Sequence, residues 1–553
     1  MGPNLFAARE GAVLEVAGDG ATLEPLLERW VVVAPALLER LHWGDERVVV
    51  RPHAGGAQLF VTAPIDGLMA ATELTEQAWL AAECPDSFDP DDVVARLTVA
   101  VLHDRAPRLV ALQQEAAARG IAFTFDDDEV SVGMGAGSAV WPRPSLPTVA
   151  EVAWESLHDV PLALVTGSNG KTTTTRLVAA MLAQAGHVVG ISSTDGVQIA
   201  GDIVTYGDYS GPSGARLVLR DRRVTAAVLE TARGAILRRG LAVGRSDVTV
   251  VTRVAADHFG EYGITDLESL AAVKLVPARL VPPHGRVVLN ADDPTLVRHA
   301  ASLRAPVTWF SPSGEGGALR AHLAAGGAAT FTDGETMTLA HGGTRESLGR
   351  PSEMPSTLGG AARHNVANAL AAAACADALG VSASVIRGVL ASFGRHPSDN
   401  PGRLVTLSRG GVTVIVDYVH NPDGWEALYD AMHHLPAQRR LVVVGQAGDR
   451  DDDALRALAR AVWEGAPSLV FLKELPSMFR GRRPGETTTV LAGELRALGA
   501  PDTAIVRCPD ERSAVSAALA QSRGGDLLVL AVHEDYRGTM ELLEREGVRP
   551  ASG

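Results

Sequence analysis

A glycine-rich stretch near residue 167 constrains this chain more than any other feature of the sequence. A short apolar run at 162–166 breaks into glycines, and apolar residues then recur at helical spacing until Gly186. This pattern predicts a buried strand, a loop and a helix. Unpaired N–H groups and the positive end of the helix dipole favour an anion at such a helix N-terminus. The sequence therefore predicts a phosphate-binding loop.

The residues of this loop suit ATP and Mg²⁺, which we expect as cofactors. Glycines let the backbone approach phosphate oxygens, Lys171 reaches the β- and γ-phosphates, and the Thr172 hydroxyl ligates Mg²⁺. The spacing is G-x-x-G-K-T, because Val165 replaces the first glycine of the commoner pattern. An ordinary glycine-rich turn is the alternative, which Gly-Lys-Thr between strand and helix disfavours. The predicted nucleotide-binding residues are Gly167, Ser168, Asn169, Gly170, Lys171, Thr172 and Thr173.

Composition limits the class of protein. A chain of 553 residues predicts three or four domains, and 46% hydrophobic with 21% charged residues is typical of a soluble globular protein. The net charge of −15 disfavours nucleic-acid and anionic-membrane partners. Because no apolar run or N-terminal pattern predicts a membrane span or signal peptide, we expect a cytoplasmic protein with small-molecule partners. A homo-oligomer is left open. Three scattered cysteines, expected to pack in cores, indicate neither a disulfide framework nor a zinc site.

Breaks in the pattern divide the chain into three predicted domains. A proline-rich stretch at 141–147 places one boundary near residue 150, and a second break lies in 394–402. We expect a small α+β domain at 1–150, a central P-loop domain with a mostly parallel sheet at 151–398, and a Rossmann-like α/β domain at 399–553. The predicted fold class is therefore α/β. The sequence shows no G-x-G-x-x-G in the right context, which disfavours a nicotinamide cofactor.

Polar residues follow three predicted strands of the central domain. Glu230 ends the run 224–229, Asp257-His258 follow 248–252, and Asn290 precedes Asp292 and Asp293 after 287–289. Ligands on parallel sheets bind beyond the strand C-terminal ends. A carboxylate beside Thr172 would complete a magnesium site. Each residue taken singly would more often be a helix cap or loop residue, but three strand ends agree with the phosphate loop.

The chain resembles the Mur ligase family of ATP-dependent amide-bond-forming enzymes, because a set of motifs occurs in one order along the sequence. These are the phosphate loop, Glu230, Asp257-His258, Lys274, Asn290, His364-Asn365 and the run Asp417-Tyr418-Val419-His420-Asn421-Pro422. The resemblance covers residues 155 to 553. Within the family, the chain is most similar to the Mur-like half of cyanophycin synthetases. The motifs that carry this similarity are Ser193-Thr194-Asp195-Gly196, residues 229–234 and Pro401-Gly402-Arg403. The ATP-grasp part of those enzymes has no counterpart in the first 150 residues, so the resemblance implies one ligation and substrate recognition by 1–150.

The resemblance also implies roles for single residues. Lys171 is the phosphate-loop lysine, Lys274 matches a lysine that many members carbamylate, and His258 matches the histidine of a second metal site. The implied catalytic residues are Lys171, Lys274 and His258; the implied metal ligands are Thr172, Glu230 and His258; further nucleotide-contacting residues are Asn290, Arg403, Asp417 and His420. Plainer alternatives are a core histidine at His258, a surface lysine at Lys274 and turn caps at Asp417 and His420. Arg253 departs from the family's usual Asn, and Val419 from its usual Ala.

The implied activity is ATP-dependent joining of an amino acid to a peptide- or amino-acid-type carboxylate through an acyl phosphate. A P-loop NTPase without ligation and a nucleotide-binding scaffold are the alternatives. The acidic run, which we define as Asp449, Asp451, Asp452 and Asp453, favours a basic amino acid as the amine. Arg480, Arg482 and Arg483 argue against this, since a cationic segment is better suited to a carboxylate.

Overall fold

A computed structural model of the chain describes residues 2–256, 259–433 and 435–550. The chain forms two compact units. The first comprises Met1–Phe331, Leu339–Glu346 and Ala371–Ile386, and the second comprises Thr332–Thr338, Ser347–Leu370 and Arg387–Gly553. The architecture is α/β with two large, mostly parallel sheets, in agreement with the predicted fold class.

The first 150 residues form two small antiparallel sheets and four helices. The sheets have the strand orders β1-β3-β2 and β4-β5-β6. Strands β2 and β3 form a hairpin, in which Val48 pairs with Val61 and His53 with Gly56. Pro107 begins a helix, a position that proline favours. The elements are β1 (Gly11–Ala17), α1 (Gly20–Arg40), β2 (Val48–His53), β3 (Gly56–Thr62), α2 (Leu68–Glu83), α3 (Pro90–Asp104), α4 (Pro107–Ala118), β4 (Phe123–Phe125), β5 (Glu129–Val132) and β6 (Ala139–Pro142).

A larger sheet carries the phosphate loop. Its strands follow the order β10-β9-β8-β11-β7-β12-β13-β14-β15, antiparallel from β10 to β8 and parallel from β8 to β15. The apolar runs at 162–166, 224–229, 248–252 and 287–289, which the sequence predicts as strands, lie at its centre. The elements are β7 (Leu162–Thr166), α5 (Lys171–Gln184), β8 (Val189–Ser193), β9 (Gly196–Ile199), β10 (Asp202–Tyr206), α6 (Pro212–Arg220), β11 (Ala226–Glu230), α7 (Arg233–Arg239), β12 (Val248–Val251), α8 (Leu267–Lys274), β13 (Arg286–Asn290), α9 (Pro294–Ala300), β14 (Val307–Ser311), α10 (Gly317–Ala324) and β15 (Ala329–Asp333).

The C-terminal sheet has the order β22-β21-β20-β23-β19-β18-β24, with parallel pairing from β22 to β19. The preceding and C-terminal elements are β16 (Thr336–His341), β17 (Thr344–Gly349), α11 (Arg363–Ala378), α12 (Ala383–Leu390), β18 (Val405–Arg409), β19 (Val412–Asp417), α13 (Pro422–Met432), β20 (Arg439–Val444), α14 (Asp452–Glu464), β21 (Leu469–Lys473), α15 (Glu486–Ala497), β22 (Ile505–Cys508), α16 (Glu511–Gln521), β23 (Asp526–Ala531), α17 (Tyr536–Arg545) and β24 (Arg549–Pro550).

Burial follows the strand period of two residues. Along β20, Leu441 and Val443 join one apolar cluster, and Val442 and Val444 join another, so both faces of the C-terminal sheet are covered. Cys375 and Cys508 are buried as expected, but the expectation is wrong for Cys84, which is exposed. Among the described helices, we find none with the length and apolar run needed to cross a bilayer.

Candidate active site

The loop between β7 and α5 has the backbone that its glycines predict. Gly167 has φ of 147° and Gly170 has φ of 83°, which is the left-handed region that favours glycine. A Cβ on Gly167 would lie 1.9 Å from Thr252 Oγ1. Since β7 is wholly buried and α5 starts at Lys171, the loop lies at a helix N-terminus, a position that favours an anion.

A second segment, residues 252–255 after β12, holds this loop in place. Thr252 Oγ1 donates to the Asn169 carbonyl at 2.6 Å, and Ser168 N donates to the Arg253 carbonyl at 2.8 Å. The Ser168 hydroxyl donates to the Ala255 carbonyl at 2.8 Å and lies 3.0 Å from the Ala255 N–H. Because β12 pairs with β7, the two loops leave the same sheet edge side by side. These four hydrogen bonds hold the backbone of the phosphate loop against the segment 252–255.

Lys171 and Thr172 begin α5 and contact different groups. The Lys171 ammonium donates to the carbonyls of Gly167 and Ser168, each at 3.1 Å. Thr172 Oγ1 donates to Glu230 Oε2 at 2.8 Å. Glu230 is 2% exposed and ends β11, which pairs with β7 in parallel. The structure therefore brings two of the predicted metal ligands together.

The donor set at Thr172 and Glu230 fits Mg²⁺, because hydroxyl and carboxylate oxygens are the hard ligands that this ion prefers. Asp292 and Asp293 serve elsewhere: Asp292 accepts from the Ser311 hydroxyl at 2.8 Å, and Asp293 accepts from the Val254 N–H at 2.7 Å. Asp257 and His258 lie outside the described residues. Within residues 2–256, 259–433 and 435–550, no three His, Cys, Asp or Glu side chains cluster as a metal site.

Lys274 and Asn290 are also in the first unit. Lys274 ends α8 and is 3% exposed, so the alternative of a surface lysine is wrong. Asn290 ends β13 and is 7% exposed. Its Nδ2 donates to the Thr252 carbonyl at 3.3 Å. Thr252 is the residue whose hydroxyl bonds the phosphate loop at Asn169. Asn290 therefore adjoins the loop that it is predicted to assist, while its contact with nucleotide stays a prediction.

In the second unit, Arg403 and Asp417 lie together at the end of β19. The Arg403 guanidinium lies over the Tyr418 ring, 4.5 Å from its centroid. Asp417 Oδ2 accepts from the Leu404 N–H at 2.7 Å. Burial raises the pKa of Asp417 to about 6, although the positive charge of Arg403 opposes the rise. These two predicted residues form one cluster.

Two histidines complete this cluster around Tyr418. The rings of His420 and His533 each meet the Tyr418 ring edge-on, with centroids 5.7 and 5.1 Å away. His533 Nε2 bonds the Val419 carbonyl at 2.9 Å, and burial lowers its pKa well below the usual range. Burial likewise lowers the pKa of His364 to about 4. Sequence patterns predicted His420 but not the pairing of His533 with the same ring.

The sequence also gave no signal for two arginines that hold the segment following residue 258. Arg51 of β2 donates to the carbonyls of Tyr262 and Gly263 at 2.8 and 2.9 Å. Arg233, at the start of α7, pairs with Glu261. Because more than 200 residues separate Arg51 from this segment, periodicity and spacing cannot reveal the contact.

Comparison with known families identifies two domains in this chain. Residues 165–376 match the Mur ligase middle domain, and residues 402–531 match the Mur ligase glutamate ligase domain. A UDP-N-acetylmuramoyl-L-alanyl-D-glutamate–2,6-diaminopimelate ligase of Geobacter metallireducens is 30% identical over 413 residues, covering 69% of this chain and 76% of that protein. The chain belongs to the Mur ligase family.

The chain is also similar in sequence to cyanophycin synthetases. The protein of a Nostoc species is 34% identical over 427 residues, which cover 76% of this chain and 47% of that protein. The chain thus spans about half the length of the cyanophycin synthetases that it matches. Among solved structures, E. coli FolC in complex with ADP aligns with a TM-score of 0.50 and 21% identity, covering 70% of this chain and 90% of FolC. That likeness supports the fold.

Proposed function

We propose that this chain is an ATP-dependent carboxylate–amine ligase that joins an amino acid to a peptide- or amino-acid-type carboxylate through an acyl phosphate. The observation that carries the proposal is the contact of Thr172 with buried Glu230 directly beside the phosphate loop. Membership of the Mur ligase family supports the same reaction class. The alternatives of a non-ligating NTPase and a scaffold are less favoured, because neither requires the polar cluster at the end of β19.

The reaction transfers the γ-phosphoryl group of ATP to the carboxylate, and the amine then displaces phosphate from the acyl phosphate. Lys171 would exchange its two carbonyl contacts for phosphate oxygens and offset their charge. The bonds from Thr252 and Ser168 hold the loop ready, so little reorganisation accompanies binding. When bound by Thr172 and Glu230, Mg²⁺ would supply further charge neutralisation.

Lys274, His258, Asn290, Arg403, Asp417 and His420 enter the proposal as the family pattern assigns them. For Lys274 the structure adds that the side chain is buried, which suits a carbamate better than an exposed, hydrated ammonium. A carbamylated lysine would present a carboxylate to the metal site. We also propose the three domains 1–150, 151–398 and 399–553, with substrate recognition by the first.

The amine substrate is less sharply defined, because the acidic run does not offer free carboxylates. Asp449 pairs with Arg450 and Arg480, Asp452 lies 2.9 Å from Arg482, and Asp453 lies 2.8 Å from Arg456. Asp451 caps α14. A basic amino acid would have to compete with these arginines for the run, so the binding of a basic amino acid there stays a prediction. The Arg483 guanidinium has no hydrogen-bond or ion-pair partner among the described residues, and it suits the α-carboxylate common to all amino acids.

Measuring ADP release tests the proposal. The protein would be assayed with ATP and Mg²⁺, alone and with aspartyl or glutamyl peptides and each of the twenty amino acids. Release that requires both a carboxylate and an amine supports the ligase. Release without either substrate indicates an NTPase, and no release under any condition indicates a scaffold.

Hydroxylamine provides an independent readout of the intermediate. It captures an acyl phosphate as a hydroxamate, which an NTPase cannot form. We expect hydroxamate from wild type and from Arg222→Ala, an exposed control in the same unit, but none from Lys171→Ala. ADP release without hydroxamate at any carboxylate would contradict the acyl-phosphate route.

A further inference from the structure

A second concave region of the first unit lies apart from the phosphate loop. It is a cavity of about 690 Å³, within the size range of small-molecule sites. Its walls come from residues 2–10, the end of α4 with β4, α6, and the segment from Arg238 to Arg245. None of the candidate active-site residues lines it.

The cavity borders the opposite edge of the central sheet. Its wall residue Asp159 precedes β7 by three residues, and Arg245 precedes β12 by the same number. The phosphate loop follows the carboxyl end of β7. At about 3.3 Å per residue, the five residues of β7 alone separate the two regions by roughly 16 Å. A ligand here would not occupy the nucleotide site.

The cavity is lined by more positive than negative side chains. Four arginines, Arg216, Arg238, Arg239 and Arg245, face two carboxylates, Glu10 and Asp159. The guanidinium of Arg239 makes no hydrogen bond or ion pair with any residue that the structure describes. Arg238 uses only its Nε, which donates to the Gly234 carbonyl at 3.2 Å. At least two guanidinium groups therefore keep their terminal nitrogens available to a ligand.

The surrounding groups leave this positive charge incompletely compensated. Arg216 is paired with Asp126 at 3.1 Å, but Asp126 also serves Arg220 at 2.7 Å. Burial lowers the pKa of Arg216, and the like charges of Arg220 and Arg239 lower it further. Burial raises the pKa of both Glu10 and Asp159.

One wall of the cavity is apolar. It includes Ile121, Phe123, Phe125 and Leu241. Small-molecule sites combine such an apolar surface with a few convergent polar groups. Guanidinium forks bind carboxylate and phosphate groups in the same bidentate manner.

We propose that this cavity binds a small organic anion, which has an apolar body against Phe123 and Phe125 and carboxylate or phosphate groups against Arg238 and Arg239. The site is independent of the ligase proposal, because it shares no residue with the phosphate loop. Phenyl phosphate and phthalate are suitable probes, since each joins an aromatic ring to one of the two anionic groups.

Calorimetric titration tests this site in the full chain, with ADP and Mg²⁺ present to occupy the phosphate loop. We expect wild type and the matched control Arg222→Ala to bind at least one probe with equal affinity. Arg238→Ala/Arg239→Ala should bind it at least about tenfold more weakly, since two charge-assisted contacts are lost. Binding of phenyl phosphate alone assigns a phosphate ligand, and binding of phthalate alone assigns a carboxylate.

Two results would overturn the proposal: no binding of either probe to wild type, or equal binding by the double variant. Inorganic phosphate that binds as tightly as phenyl phosphate would overturn the role of the apolar wall. Retained ADP binding shows that each variant is folded. If the double variant does not fold, Arg239→Gln replaces it, because that side chain is exposed and makes no internal bond.

Discussion

The carboxyl ends of the two large sheets carry candidate residues of different character. At the end of β7, hydroxyls, a lysine and a carboxylate are joined by bonds of 2.6 to 3.1 Å to loop backbone or to one another. At the end of β19, an arginine and two histidines surround Tyr418, and Asp417 has a raised pKa. One topological position thus carries, in one unit, a loop with the groups proposed to bind phosphate and metal and, in the other unit, an aromatic, desolvated cluster. Substitutions at the first should change turnover, and substitutions at the second should change stability with pH.

Lys171→Ala should have the largest effect. We expect turnover to fall by at least about 10³-fold, because the lysine offsets charge that develops on the transferring phosphoryl group. The melting temperature should stay at the wild-type value, since the ammonium contacts only two loop carbonyls. Steady-state ADP release and thermal unfolding check the two parts. Normal turnover in this variant would remove the loop from the reaction.

Lys274→Ala should have the second-largest effect on turnover. If this buried lysine forms a carbamate, the variant should lose about 100-fold in turnover, and short carboxylates or raised bicarbonate should restore part of it. Activity is measured across acetate and formate concentrations, with Lys171→Ala as the variant that such anions cannot rescue. Wild-type activity without any additive would exclude Lys274 from the site.

Gly167→Ala should have a smaller effect on nucleotide affinity. The new Cβ would lie 1.9 Å from Thr252 Oγ1, so the bond from that hydroxyl to Asn169 would have to break. We expect ADP to bind about tenfold more weakly, which corresponds to about 1.4 kcal/mol. Gly186→Ala is the matched control, because Gly186 also has positive φ, at 99°, but has no atom within 4 Å of the new Cβ. Equal losses in both variants would assign the effect to backbone strain alone.

Some features of the candidate site could be predicted from the sequence alone, and others could not. The phosphate loop and the nearness of Glu230 to Thr172 follow from local pattern, because parallel strands bring their carboxyl ends to one sheet edge. The antiparallel edge strand β10 did not stand out, since its residues Ile203 and Val204 are exposed and it has no buried face. Edge strands of this kind lack the buried apolar run that identifies central strands.

Contacts between distant parts of the chain were also inaccessible. Thr252 precedes the motif at Asp257-His258, but nothing in the sequence indicated that its hydroxyl holds the phosphate loop. Arg51 reaches the Tyr262 carbonyl across 211 positions. The acidic run is the converse case, since its composition suggested unpaired carboxylates and the structure shows ion pairs with neighbouring arginines. Side-chain pairing depends on the folded geometry, which composition does not specify.

The pH dependence at Asp417 concerns stability and not turnover or nucleotide affinity, and it separates the two clusters most directly. Because burial raises the folded-state pKa of Asp417 to about 6, the folded protein holds this proton more tightly than the unfolded chain. The resulting stabilisation is fully present below about pH 4 and is lost as pH rises through 6. Two pKa units correspond to about 3 kcal/mol. We therefore expect the unfolding free energy of wild type, relative to Asp417→Asn, to fall by up to about 3 kcal/mol between pH 4 and pH 7.

Urea unfolding of both proteins at each pH measures this difference. The contributions of the other titrating groups cancel when the two proteins are compared. Asp453→Asn, at a side chain that is 92% exposed, should show no comparable trend. A difference that is constant with pH would mean that the charge of Arg403 outweighs burial at Asp417.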